Sequence, residues 1–247
     1  MAFVDQMKHG ITKAIQIASD NTAYSELPEC SSLSQTQTLS IKAADPIEII
    51  KASERYLDKG ETYMRIKFLI RDEKADKRSV LSAELVSGRG FIVKTLDGTN
   101  VMDVRLADRS SRCFGKLLHP SQATIYKIVP SVGSRFFVYH IGETAPTFTV
   151  EKVFVSLYPI AKVLGLIQSE CVYIFKSSDG KIAAYLRPKI VLNAKTMIVR
   201  FMKHFEDHQK KVSIMGIALL LLLHDVYPEL REILEAGVHH FRSLNKA

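Results

Sequence analysis

The chain has 247 residues, with 34 basic and 26 acidic side chains, a net charge of +8 and a pI near 9.3. That length holds one domain with a substantial core, or a domain with helical extensions. Three widely separated cysteines, Cys30, Cys113 and Cys171, exclude a zinc ribbon and a disulfide framework and fit a reducing compartment.

Residues 1–19 carry Phe3, Val4, Met7, Ile11, Ala14, Ile15 and Ala18 at helical spacing, which predicts an N-terminal amphipathic helix. It has no apolar segment of signal-peptide type. Residues 20–46, rich in Ser, Thr, Gln and Asn, read as a polar linker. Asp45-Pro46 starts a helix that runs through Tyr56, with Pro in the first turn. Tyr63, Met64, Ile66, Phe68 and Ile70 predict a strand over 61–70, and 80–86 with 90–96 predict a hairpin. Gly88 and Gly90 do not make a phosphate loop, because no Gly-Lys-Ser/Thr follows.

Asp97-Gly98 is a tight-turn signal, and Val104 and Leu106 fit a short strand closed by Asp108. Further strands are expected at 125–129, 135–141, 148–158 and 169–175. Ser178-Asp179-Gly180 then turns the chain into 182–186. Many short strands with regular turns argue for a sandwich or a barrel.

Several of these residues resemble the 30K superfamily of plant-virus movement proteins. The signature is Leu106-Ala107-Asp108 at a strand end with a later glycine, Gly165. Gly98, Val101, Val104 and Arg109, the strand leading to Pro130, and 171–175 follow in the expected order. The resemblance covers the middle third of the chain. It implies an antiparallel β-sandwich core of jelly-roll type; with the N-terminal helix and two or three C-terminal helices read from apolar spacing, the fold expected is α+β. It also implies a non-enzymatic protein that binds single-stranded RNA or DNA and moves viral genomes through plasmodesmata. Leu106, Asp108 and Gly165 would then serve structure or assembly.

Beyond Pro188, 191–199 reads as a strand or the start of a helix, and 197–211 as a helix with a basic side. His204 and His208 share a helical face, but the His-Glu-x-x-His arrangement is absent. The apolar run 214–223 is too short to span a bilayer and reads first as a buried helix, second as a shallow membrane contact. A last helix starts near Pro228. The organisation expected is 1–60 as helix and linker, 61–190 as the β core, and 191–247 as a basic and apolar helical region.

Charge is uneven along the chain. Residues 1–60 hold six basic and eight acidic side chains, net −2, whereas 181–212 hold eight and two, net +6. The basic segment nominates Lys189, Lys195, Arg200, Lys203, Lys210 and Lys211 for sequence-tolerant, salt-sensitive binding to phosphates. There is no nucleophile elbow, Walker loop or dinucleotide fingerprint, so neither an enzyme nor a cofactor is expected. The leading expectation is a self-associating movement protein at plasmodesmata and the cell periphery, on the cytoplasmic side of membranes. Its expected partners are single-stranded viral nucleic acid, plasmodesmal host proteins and peripheral membrane. A viral matrix or capsid-type protein is the alternative, and a cellular scaffold or lipid-surface module the third reading.

Overall fold

The computed structural model describes residues 24–75, 78–107, 112–191 and 195–244, with the side chains of the last helix described as far as Gly237. Twelve antiparallel strands close into a barrel: β1 (Thr38–Ala43), β2 (Arg65–Asp72), β3 (Ser79–Val86), β4 (Gly90–Thr95), β5 (Asn100–Leu106), β6 (Gly115–Leu118), β7 (Thr124–Ser131), β8 (Arg135–His140), β9 (Phe148–Phe154), β10 (Cys171–Ser177), β11 (Ile182–Pro188) and β12 (Met197–Phe201). Each strand from β2 onward pairs with its neighbour in the chain, and β1 closes the ring between β12 and β2. Closure leaves no unpaired strand edge.

Closure overturns the expected β-sandwich with helices packed beside it, since the helix over 214–223 lies inside the closed wall. Two pieces of chain not assigned to the β core make the seam. β1 comes from the stretch read as polar linker, and β12 from the overlap of 191–199, read as a strand or the start of a helix, with 197–211, read as a basic helix. Their inward residues, Leu39 and Ile41 in β1 and Met197, Val199 and Phe201 in β12, are buried and face the lumen in register. The expected helix over 1–19 lies outside the described residues.

A twelve-stranded barrel encloses more space than wall side chains can fill. Helix α3 (His208–Asp225) fills it. Residues 211–223 of this helix are all buried, so it is apolar on every side, as a helix surrounded by a wall must be. The run 214–223 is therefore the core of the barrel rather than half of an external helix pair. Asp207 caps the helix, accepting a hydrogen bond from Lys210 N at 3.0 Å. Two glycines allow the close approach. A Cβ at Gly216 would lie 2.7 Å from Leu117 Cδ2, and one at Gly115 would lie 2.5 Å from Leu220 Cδ1.

The helix enters at the barrel end carrying the β2–β3, β4–β5 and β10–β11 turns, here called the top, and leaves at the base. Three other helices gather at the base. α1 (Pro46–Lys59) follows β1, with Asp45 as N-cap and Gly60 (φ +67°) as C-cap. α2 (Tyr158–Val163) joins β9 to β10. α4 (Pro228–Leu244) turns away from α3 by 100° and packs against α1. No single helix among the described residues is long and apolar enough to cross a membrane.

Candidate functional site

The base is organised by the end of the core helix. Asp225, 10% exposed at its side chain, accepts hydrogen bonds from Tyr173 Oη (2.6 Å), Lys152 Nζ (3.1 Å) and Ser169 Oγ (3.3 Å). These bonds tie α3 to β9, β10 and the segment before β10. Burial, with Asp225 beside it, drives the Tyr173 phenol far above its ordinary range. Burial likewise raises the Cys171 thiol. Both groups are thus held protonated, which suits hydrogen bonding and opposes nucleophilic use. His224 is held below its ordinary value, first by burial, and sits between Asp225 and Arg231. The cluster is a tether. Among the described residues no three His, Cys, Asp or Glu side chains converge to hold a metal ion.

Beside this tether the β9–β10 connection stands out from the wall. From 153 to 167 the chain carries one charged side chain, Lys162, among Val, Phe, Leu, Ile, Ala, Tyr, Pro, Gly and a single Ser. Helix α2 within it buries no residue at all. Val163 is 88% exposed, Leu157 71% and Phe154 67%, with Ile160 and Leu164 also in solvent. The protrusion is nevertheless well formed. Gly165 takes φ +71°, its N–H donates to Lys162 O at 2.9 Å, and Leu166 N donates to Ala161 O at 2.8 Å. This pair of bonds closes the helix in a Schellman turn. Lys162 pairs with Glu170 at 2.9 Å. A bond from Val191 N to Leu166 O (3.1 Å) brings exposed Ile190 and Val191 alongside.

The nominated residues do not share a face. Leu106 ends β5, paired with Gly115 and half-buried against the core, and Asp108 lies outside the described residues. Gly165 is the C-terminal turn of α2, at the exposed protrusion. Lys189 pairs with Glu73, and Lys195 pairs with Glu229 at 3.0 Å over the Tyr227 ring. Both belong to the base. Arg200 and Lys203 are exposed towards the top, where Lys210 pairs with Asp207. Lys211 is 4% exposed, donates to Ser34 O at 2.9 Å and lies over Phe201. Its burial disfavours the charged form. A strand reading of 148–158 missed the protrusion. The available signal was the length of the apolar run, interrupted by Pro159 and Gly165.

No family model matches the chain, and no curated protein matches it. Among solved structures it is similar to an X-ray structure of a protein from Arabidopsis thaliana, at 14% identity and a TM-score of 0.30, over 55% of this chain and 86% of that one.

Proposed function

We propose that the protein is a peripheral membrane-binding module that docks on anionic bilayers through the α2 protrusion at the barrel base. One observation carries this reading: a formed helix that buries none of its side chains and whose only polar groups are Lys162 and the Tyr158 hydroxyl. Isolated exposed apolar residues are ordinary, but a contiguous patch marks an interaction surface. A protein interface mixes apolar area with polar groups that set register. This segment offers Lys162 and Ser156 as polar side chains besides the Tyr158 hydroxyl. A bilayer accepts such a surface. Each large apolar side chain moved from water contributes about 1.5–3 kcal/mol. The net charge of +8 adds attraction to anionic headgroups. No catalytic step is required of any group at the base.

The movement-protein reading rested on the Leu106, Asp108 and Gly165 signature, and it implied a jelly-roll core and six cations acting together. The barrel replaces that core, and the split of the six between the two ends, with Lys211 buried, weakens their joint action.

The test is co-sedimentation with vesicles of phosphatidylcholine and phosphatidylserine. The parent protein pellets with them. The double variant Leu157→Asp, Val163→Asp keeps its melting temperature and loses binding by at least about tenfold. Equal binding by both proteins would exclude the α2 protrusion as the docking edge.

A further inference from the structure

Next to the base, two grooves adjoin on the outer wall over β1, β2 and α1. The first, of 240 Å³, lies over β1 and β2 and is lined by Lys42, Arg71, Lys189 and Glu73 with the Ser40 and Thr196 side chains. The second, of 570 Å³, runs under α1 and is lined mainly by apolar groups, among them Ile49, Ile50, Leu57 and Tyr227. Lys42 and Thr196 line both, so the grooves are immediate neighbours.

We propose that this composite groove binds a single-chain amphiphile with a phosphate-monoester head, the head on β1–β2 and the acyl chain under α1. Charge selects the head. Three cations face one carboxylate, a local net of +2, and a phosphate monoester carries about −1.5 to −2 at neutral pH. Arg71 adds a specific signal. Its Nε is buried and has no hydrogen-bond partner. A buried donor left unpaired is costly, and a guanidinium edge presents parallel donors that match two phosphate oxygens. The second groove repeats the pattern. Ser53 Oγ lines it, buried and without a partner, where an ester or hydroxyl next to an acyl chain supplies one. The volume lies in the range of sites for one small ligand rather than for a bulky double-chain lipid.

The inference does not rest on bilayer docking: the grooves are built on α1 and β1–β2 and use no residue of α2, although Val191, which lines the first, also borders the protrusion.

The test is calorimetric titration of the full chain with oleoyl lysophosphatidate below its micellar concentration. Glycerol 3-phosphate and neutral monooleoylglycerol are the head-only and tail-only arms. Saturable one-to-one binding of the lysophosphatidate is expected, at least about tenfold tighter than either arm. Arg71→Gln abolishes the preference over monooleoylglycerol, while Ile50→Asp, at an exposed position, weakens both oleoyl ligands. Leu157→Asp, Val163→Asp binds like the parent, which separates this site from the docking edge. Equal affinity for the phosphate and neutral ligands, an unaffected Arg71→Gln variant or absence of saturable binding would each overturn the proposal.

Discussion

Tyr173 donates its phenolic hydrogen to Asp225 across 2.6 Å, and that bond pins the last residue of the core helix to the inner face of β10. Lys152 completes the anchor as the counter-charge, 20% exposed at its side chain. Removing one partner of a mostly buried ion pair leaves the other uncompensated, at about 3–5 kcal/mol. Asp225→Ala is therefore expected to lower the unfolding free energy by about 3 kcal/mol. Tyr173→Phe, which deletes one hydrogen bond, costs about 1 kcal/mol. Urea denaturation of the two variants checks the ranking, and a larger loss for Tyr173→Phe would refute it.

Gly115 and Gly216 mark where the core helix and the wall touch. Alanine at Gly115 would press on Leu220 and also stand 3.0 Å from the Arg105 carbonyl oxygen, which cannot rotate away. The expected cost is about 1–3 kcal/mol. Alanine at Gly216 meets only the ends of Leu117 and Met102, and gains about 1 kcal/mol of helix propensity. Gly216→Ala should thus be the milder of the two in thermal melts.

His224 makes stability depend on acidity. Its folded value lies below the ordinary 6.5, so the unfolded chain binds more protons in that window. Stability is full above about 6.5 and falls as the pH drops towards the depressed folded value. The charged groups facing it are Asp225, Arg231, Lys152 and Glu235. His119, also lowered by burial, acts with the same sign. His224→Gln should flatten the fall between pH 6.5 and 5 relative to the parent, leaving the share due to His119. An unchanged slope would remove His224 as a cause.

The strands were largely legible because alternation and turn chemistry are local. The 80–86 and 90–96 hairpin is β3–β4, and the Ser178-Asp179-Gly180 turn joins β10 to β11. Closure was not legible. Nothing in Thr38–Ala43 names Met197–Phe201 as its partner, since that pairing joins segments more than 150 residues apart. The apolar run 214–223 announced burial but not what would surround it. The protrusion was hidden because α2 has no buried side and so shows no amphipathic period, and the strand expected over 148–158 ends at Phe154. Lys211 misled in the opposite sense: its charge marked it for the surface, but its ammonium is satisfied by Ser34 O beneath it.

The most direct test of bilayer docking places an environment-sensitive fluorophore on Val163→Cys, and for comparison on Leu96→Cys at the barrel top. Both parent side chains are exposed, while Cys30 and Cys171 are buried and Cys113 is partly buried. Docking through α2 predicts a blue shift on anionic vesicles from position 163 and none from position 96. Vesicle binding with no shift at 163, or with equal shifts at both positions, would contradict it.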